Sequence, residues 1–428
     1  MRVVNWFLLL LFAGFLAFSF TASVASGDDV VLQWNRTVLD SVRAERTPPP
    51  VASRALAMTH IAIYDTLNEI EGTHTPYSYT FPGVSLASPP PNASASTAAY
   101  IVLSYLYPAR EPIFRTQWLS SFKVSDGTAR NLAAVAWGTY VGNLVIDYRR
   151  NDGSNRTVNY MPLPGCGKWK PTPPAFAPAL LPQWPRVRTF GITEVLNFRP
   201  AAPPGFNSKA FADSYREVAS LGSVSSSTRT ADQTQIAYFW EDGAGTVTPP
   251  GHWQVIAQGL AERFRLSRVA NARLFALLSI AQADAAIAAW DAKYAYNHFR
   301  PITGIREHCF ARTDLAMDSN WTPLIPTPPF PGYVSGHSTF SAASARILAL
   351  YFGRDNIAFW GTSPDPQRWP NDLPGVTRHW NSFSQAAAEA GQSRIYGGIH
   401  WQFDNTEGLT LGRAIADQTY DIHLRLRR

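Results

Sequence analysis

Residues 272–298 constrain the fold of this chain more than any other stretch. The segment contains neither glycine nor proline and is rich in alanine, so it favours a single long helix. Apolar side chains such as Leu277 and Ile287 form a broad band, while Asp284 and Asp291 are polar residues within it. A helix that is apolar over most of its circumference usually lies at the centre of a fold. The sequence therefore predicts a fold built around this helix.

Helical patterns also cover most of the remaining chain, and alternating strand patterns are nearly absent. Prolines interrupt the helices in two long loops, residues 152–204 and 320–332. The first loop carries several aromatic residues, so we expect it to lie ordered over the helices. The predicted fold class is all-α, a helix bundle with long Pro-rich loops. The other predicted helices are residues 30–46, 51–69, 95–122, 127–150, 208–222, 227–242, 252–266, 335–352, 382–394 and 404–425.

Length and charge limit the domain organisation and the partners. A chain of 428 residues can form one large domain with a substantial core. We predict a single all-helical domain from residue 26 to 428, with an N-terminal helical part (about 26–250) and a catalytic bundle (about 251–428). The net charge is +6, with scattered basic residues. This pattern disfavours nucleic-acid binding and suits small anionic ligands.

The N-terminus has the pattern of an export signal. Arg2 precedes a nearly apolar segment at residues 6–20, and Ser23-Val24-Ala25 is a small-residue cleavage site. The apolar segment is shorter than the roughly 20 residues that span a bilayer, although an uncleaved membrane anchor is the alternative. We predict a signal peptide at residues 1–25, and a secreted or extracytoplasmic protein without stable membrane insertion after its removal.

The chain has two cysteines, Cys166 and Cys309. An oxidising compartment would allow them to pair, but the sequence does not show whether their Cα atoms lie close enough. Both the disulfide and the free thiols therefore stay open. Four Asn-x-Ser/Thr sequences, which are glycosylated only in a eukaryotic secretory pathway, occur at Asn35, Asn92, Asn155 and Asn320.

Three segments in the second half of the chain combine cations with groups that suit an anion. In the first, Lys293 and Arg300 are seven residues apart. This is nearly two helical turns, so on one helix they point the same way. Pro301 stops the helix after them. A solvated basic face is the alternative interpretation, but aromatic neighbours such as Trp290 argue against it.

The second segment, Ser335-Gly336-His337, precedes a predicted helix. Unpaired N–H groups and the positive end of the dipole make such a position suitable for an anion. His337 lies at its edge, where it could exchange a proton with a bound group. An ordinary capping serine followed by a buried histidine is the alternative.

The third segment runs from Ser393 to Asp404. It places Arg394, the pair Gly397-Gly398 and His400 close together in sequence. Arginine can bind an oxyanion with two parallel hydrogen bonds, and glycine lets the backbone approach it. Alone, a glycine pair before a histidine is also common in loops.

Together the three segments resemble the signature shared by vanadium-dependent haloperoxidases and type 2 phosphatidic acid phosphatases. That signature is Lys-x6-Arg-Pro, then Pro-Ser-Gly-His, then Ser-Arg-x5-His-x3-Asp, and it covers about a quarter of this chain. Val334 departs from it, standing where the pattern has proline. The matching residues are Lys293, Arg300, Pro301, Ser335, Gly336, His337, Ser393, Arg394, His400 and Asp404.

Two features resemble the secreted haloperoxidase branch in particular. The segment before Ser335, which includes Phe330, is similar to the corresponding segment of fungal chloroperoxidases. The N-terminal helical region and the export signal are similar to those of secreted haloperoxidases. This resemblance implies an all-helical bundle fold, a vanadate cofactor and, for Phe330, a place in the halide environment.

The resemblance also implies roles for the signature residues. His400 would bond vanadium, or attack phosphorus in a phosphatase, and Asp404 would hold its other ring nitrogen. An acidic residue at a helix start is also an ordinary cap. His337 would be the acid/base. The residues expected to hold the oxyanion are Lys293, Arg300, Ser335, Gly336 and Arg394, of which Lys293 would also polarise the peroxide.

Our prediction is a secreted vanadate-dependent haloperoxidase that oxidises halide with hydrogen peroxide to hypohalous acid and modifies a small organic acceptor. The alternative is a soluble secreted acid phosphatase working through a phosphohistidine. A non-catalytic binding relative is a third possibility, which the intact functional groups of the signature disfavour. The choice of halide, the organic substrate and the oligomeric state are not readable from the sequence.

Overall fold

The computed structural model describes residues 29–77, 88–366 and 375–427, so the predicted signal peptide lies outside the described residues. Within them, helices dominate and one small antiparallel hairpin is present. The predicted all-α class is confirmed. The helices are α1 (Val30–Ala44), α2 (Pro49–Glu71), α3 (Pro91–Leu106), α4 (Glu111–Ser120), α5 (Thr128–Arg149), α6 (Lys209–Leu221), α7 (Ala231–Phe239), α8 (Thr248–Arg263), α9 (Arg268–Tyr296), α10 (Pro301–Glu307), α11 (Gly336–Tyr351), α12 (Phe383–Tyr396) and α13 (Gln402–Ile422), and the strands are β1 (Phe359–Thr362) and β2 (Thr377–Trp380).

Helix α9 is the central helix, as its sequence predicts. The side chain of Ser267 caps its N-terminus by accepting from Ala270 N, and Asn297 ends it in the left-handed conformation. It packs against α2, α11 and α13. By length and composition α9 could cross a membrane, but 94% of its most apolar window is buried inside the protein. This burial is typical of a core helix.

The structure differs from the predicted elements in three places. The helix expected over residues 95–122 is two helices, α3 and α4, separated at Tyr107 and Pro108. Proline lacks the N–H of a continuing helix and disfavours helical geometry in the residue before it. The hairpin of β1 and β2 and the seven-residue α10 were not predicted, because segments this short carry little periodic signal.

The long loop at residues 152–204 lies ordered over α9, as expected. Asp284 of α9 accepts hydrogen bonds from the backbone N–H groups of Phe190, Gly191 and Ile192 at 2.5–2.7 Å. A disulfide joins this loop to the residues after α10, with the Cα atoms of Cys166 and Cys309 5.5 Å apart. The loop therefore forms a fixed cover beside the helix that carries Lys293.

Candidate active site

The end of α9 and the start of α10 position the first two cations. Lys293 is in the last turn of α9, and Arg300 is the N-cap residue of α10. The prediction that both lie on one helix stopped by Pro301 is wrong, because α9 ends at Tyr296 and Pro301 begins α10, a position that proline tolerates. Both side chains are fully buried. The Lys293 ammonium donates to the carbonyls of Pro331, Gly332 and Val334. These three bonds use all its N–H groups, so a direct bond from Lys293 to an oxyanion stays a prediction.

Arg300 is different, because part of its guanidinium has no partner. Nε donates to Phe330 O and Nη1 to Ile399 O, each at 2.8 Å. Nη1 also lies 2.9 Å from Nε2 of His400. In the part of the chain that the structure describes, Nη2 is buried without a hydrogen-bond partner. Burial lowers the Arg300 pKa to about 9. A buried donor of this kind favours an anionic acceptor beside it.

The N-terminus of α11 provides the second segment. Ser335 is the N-cap, and its Oγ accepts from Ser338 N at 3.3 Å, which leaves the hydroxyl hydrogen able to donate. Gly336 is the first helical residue and lines a cavity. A Cβ added there would meet Trp290 at 3.6 Å, an ordinary contact. Protein packing therefore does not require glycine at this position, but a Cβ would occupy space in the cavity.

His337 lies against the same cavity and is partly exposed. Its Nε2 lies 3.2 Å from the carbonyl oxygen of Glu241. Because a carbonyl only accepts, Nε2 carries the hydrogen and Nδ1 has the lone pair. Burial, together with the charge of Arg394, lowers the His337 pKa well below its usual value. His337 is therefore neutral at rest and can accept a proton.

Arg394, near the end of α12, is held by the C-terminal end of α7. Its Nη2 donates to Trp240 O at 2.7 Å and Ala237 O at 3.1 Å, and Nε donates to Ser393 Oγ at 2.9 Å. Burial lowers the Arg394 pKa to about 10, an effect that Glu241 opposes. Arg394 thus remains a cation on the cavity wall.

His400 and Asp404 form a hydrogen-bonded pair where α13 begins. Nδ1 of His400 lies 2.8 Å from Oδ2 of Asp404. The same oxygen accepts from Trp401 N at 3.2 Å, so Asp404 also caps the helix and both interpretations of this residue describe real contacts. Burial, then Arg300 and Lys293, hold the His400 pKa well below its ordinary value. Nε2 therefore has a lone pair, which accepts from Arg300 Nη1 at 2.9 Å in this structure.

Burial also raises the pKa of Asp404, to about 7, although Lys293 opposes this shift. Lys293 in turn has its pKa lowered well below normal, first by burial and then by Arg300. The charge of Asp404 acts on Lys293 and Arg300, and the charges of Glu241 and Asp242 act on Arg394, although none of the ion pairs among the described residues includes these three cations. The site is a buried group of cations and donors that suits an oxyanion.

Gly336, His337, Arg394 and His400, which lie far apart in sequence, line a cavity of about 370 Å³. Lys293, Arg300, Ser335 and Asp404 are buried and are not among its described lining residues. The rest of the wall is mostly apolar, and its polar residues include Arg46, Glu241, Asp242 and Thr327. The apolar lining residues are Pro48, Pro49, Leu180, Ala244, Pro249, Trp290, Ile325, Pro326, Pro328, Pro329, Phe330, Phe340 and Ile399.

Sequence reasoning missed the turn at residues 240–243, whose carbonyls hold both Arg394 and His337. The Asp242-Gly243 pair is a turn signal, but the predicted helix at 227–242 runs up to it. The turn lies more than 90 residues from His337, so no local pattern connects them. Phe330 lines the cavity, with its ring 4.9 Å from that of Trp290, and its place in the halide environment stays a prediction.

Comparison with known proteins confirms the resemblance. Residues 273–428 match the family described as the VCPO second helical-bundle domain. A vanadium chloroperoxidase from Curvularia inaequalis is 28% identical over 87% of this chain and 78% of its own length. The crystal structure of a bacterial vanadium-dependent iodoperoxidase is 27% identical, with a TM-score of 0.81, over 93% of this chain and 97% of the other.

A more distant structure agrees in fold. The holo form of a bacterial vanadium-dependent chloroperoxidase has a TM-score of 0.69 and is 19% identical, over 88% of this chain and 92% of the other. At this identity the likeness concerns the fold alone. It extends across both the N-terminal helices and the bundle that carries the site.

Proposed function

From its membership of the vanadium haloperoxidase superfamily, we propose that this chain is a vanadium-dependent haloperoxidase, with vanadate bound at His400. The observation that carries the proposal is Arg300 Nη2, a buried donor without a partner in the described residues. Its guanidinium contacts His400 Nε2, the atom that would bond vanadium. A vanadate oxygen there would satisfy the donor.

Other features of the site fit the same group. His400 is neutral, as a metal ligand must be, and Asp404 fixes its ring through Nδ1. Gly336 leaves room where a side chain would intrude. Arg300, Arg394 and the N–H groups at the start of α11 would hold the oxygens. When bound, vanadate supplies the Lewis acidity that activates hydrogen peroxide toward a halide.

His337 is proposed to move the proton in this reaction. Its Nδ1 lone pair faces away from the Glu241 carbonyl that binds Nε2. It can accept a proton from hydrogen peroxide as it enters and return it as water leaves. The low pKa of His337 keeps Nδ1 free to accept at neutral pH.

Lys293 is proposed to act through its positive charge and through its hydrogen bonds to residues 331–334. Its ammonium binds three carbonyls of the segment before Ser335, which fixes the approach to α11. Polarising the peroxide directly would require one of those hydrogen bonds to exchange. Lys293 also lies 5.0 Å from the centre of the Phe330 ring, beside the proposed halide environment of Phe330.

The size of the cavity supports a small organic acceptor as the final substrate. The cavity of about 370 Å³ leaves room for a small molecule beside an oxyanion. The remaining wall is largely proline and aliphatic or aromatic carbon. Hypohalous acid formed here would meet a carbon acceptor before bulk water, and C–H plus HOX would give C–X plus water.

We also propose that the protein is secreted or extracytoplasmic. The Cys166–Cys309 disulfide supports this location, because such bonds persist in oxidising compartments. Mass spectrometry of the mature protein should find an N-terminus at Ser26. A protein retained in the cytoplasm with Met1 intact would contradict this proposal.

The activity is tested with purified protein, orthovanadate, hydrogen peroxide and iodide, bromide or chloride in turn. Vanadate-dependent halogenation of an activated dye is the expected result. In parallel, p-nitrophenyl phosphate hydrolysis is measured without vanadate. Phosphatase turnover without vanadate-dependent halogenation would replace the proposal with the acid phosphatase alternative, in which His400 attacks phosphorus.

A further inference from the structure

The turn at residues 240–243, between α7 and α8, holds two functional side chains by its carbonyls. Arg394 Nη2 donates to Trp240 O at 2.7 Å, and His337 Nε2 donates to Glu241 O at 3.2 Å. Within this turn Asp242 has a left-handed φ of +46°. Positive φ is uncommon in residues with a Cβ, and aspartate is among those that adopt it most readily. The contacts that hold Asp242 therefore bear on the shape of the turn.

His252, in the first turns of α8, makes such a contact. Its Nδ1 lies 3.1 Å from each carboxylate oxygen of Asp242. Since the carboxylate only accepts, Nδ1 carries the hydrogen. The imidazole also stacks on Trp240, with ring centres 4.4 Å apart and planes 27° apart. The His252 side chain thus contacts the turn at two residues, Trp240 and Asp242.

In the described part of the chain, His252 makes no hydrogen bond to His337 or Arg394, although its charge reaches His337. It is only 1% exposed and is absent from the described residues that line the cavity. A phenylalanine would preserve the stack on Trp240. It would leave the buried Asp242 carboxylate without this donor, which is unfavourable. The hydrogen bond is therefore what histidine adds at this position.

We propose that His252 is a positioning residue for the oxyanion site. Through Asp242 it fixes the Glu241 carbonyl, which keeps His337 in its Nε2–H tautomer, and the Trp240 carbonyl, which holds Arg394 against the cavity. The inference rests on the proposed function for the roles of His337 and Arg394. It concerns how these residues are held, and not which halide is oxidised.

Three variants separate the hydrogen bond from packing. His252→Phe keeps the ring, His252→Asn keeps a donor near the place of Nδ1, and His252→Gln moves the donor further out. We expect His252→Phe and His252→Gln to lower kcat by about tenfold or more, as loss of an outer hydrogen-bond partner commonly does. KM for halide should stay nearly unchanged, and His252→Asn should recover most of kcat. His60→Phe is the matched control, since His60 is buried and stacked on Phe275.

A second measurement does not depend on turnover. Orthovanadate should raise the Tm of the native protein and of His252→Asn equally, and that of His252→Gln and His252→Phe less. If the native protein binds vanadate but oxidises no halide, the proposed function fails while this shift still tests His252. Native-like kcat and vanadate shift in His252→Phe and His252→Gln would overturn the inference. So would equal losses in all three variants, because packing alone would then explain them. If His252→Phe does not fold, the asparagine and glutamine pair decides.

Discussion

Two buried arginine clusters in this protein have opposite designs. In the N-terminal region, Arg54 and Arg149 donate to the same oxygen of Asp152, at 2.8 and 3.1 Å. We call these three residues the Arg54 cluster. In the C-terminal bundle, the site cluster of Lys293, Arg300 and Arg394 is held by carbonyl oxygens, and no carboxylate in the described chain ion-pairs with it. Both clusters are almost completely buried.

The difference lies in where the compensating negative charge comes from. In the Arg54 cluster the protein supplies it: burial alone would raise the Asp152 pKa, but Arg54 and Arg149 outweigh burial and lower it. In the site cluster, burial lowers the pKa of Arg300 to about 9 and that of Arg394 to about 10. Carbonyls orient these cations, and the charges of Asp404, Glu241 and Asp242 offset the effect of burial only in part. The protein thereby leaves positive charge that a bound oxyanion can neutralise.

The largest expected effect concerns the two buried histidines, one in each region. His400→Ala should lower vanadate-dependent halogenation by at least about 100-fold, because it removes the proposed vanadium ligand. His60→Ala should reduce stability while the folded protein keeps its specific activity, since His60 bonds Asn35 in the core. Initial rates and thermal unfolding of both variants check this. Full activity in His400→Ala would break the site assignment.

The second prediction contrasts one arginine from each cluster. Arg54→Met should destabilise the protein by about 3 kcal/mol, because it breaks a buried ion pair. Arg300→Met should change stability without vanadate by less than about 1 kcal/mol, since relief of its buried charge offsets its lost carbonyl bonds. It should abolish stabilisation by vanadate. Denaturant unfolding with and without orthovanadate measures both effects, and equal destabilisation by the two variants would remove the contrast.

The third prediction compares two glycines. A Cβ at Gly138 would lie 2.4 Å from Ser94 O, so Gly138→Ala should destabilise the contact of α5 with α3 by about 1–3 kcal/mol. Gly336→Ala meets no such clash and should leave stability nearly unchanged. It should weaken vanadate binding by about tenfold, or about 1.4 kcal/mol. Vanadate titration followed by Tm tests this, and unchanged affinity would show that Gly336 is not part of the cradle.

The last prediction is a pH dependence in the N-terminal region, whose effect over any one pH unit is small. Burial lowers the His60 pKa from 6.5 to about 3, so the folded protein keeps His60 neutral while the unfolded chain protonates it. This contribution to stability is fully present above pH 6.5 and is lost as pH falls toward 3. His60→Phe should reduce the slope of stability against pH by up to about 1.4 kcal/mol per unit in this window. Urea unfolding at pH 7.5, 5.5 and 4.5 measures it, and parallel curves for the two proteins would contradict the expected burial effect.

Much of the fold could be predicted because its signals are local. The glycine-free and proline-free run around Asp284 specifies a long helix, and its apolar circumference specifies a central one. The break at Pro108 was available in the same way, although the helix prediction passed over it. By contrast, β1 and β2 are four residues each, and their pairing depends on a partner about 20 residues away.

In the site, too, local signals could be predicted from the sequence and long-range contacts could not. Lys293, Arg300, His337, Arg394 and His400 could be named from sequence, because spaced motifs preserve residue types whatever lies between them. The sequence could not predict how many N–H groups of these side chains remain free to bind an oxyanion. Lys293 has its three donors on carbonyls of a following loop, whereas Arg300 keeps Nη2 unpaired. Both are ordinary buried cations in the sequence pattern.

The amino-acid sequence by itself determined the helical class, the central helix and the chemical groups that gather around His400. Only the tertiary structure decided which of those groups are satisfied by the protein, that Cys166 pairs with Cys309, and that His252 restrains a turn behind the site. The physical reason is range. Helix propensity and apolar periodicity act over a few residues, whereas hydrogen-bond satisfaction and burial depend on atoms brought together from distant parts of the chain.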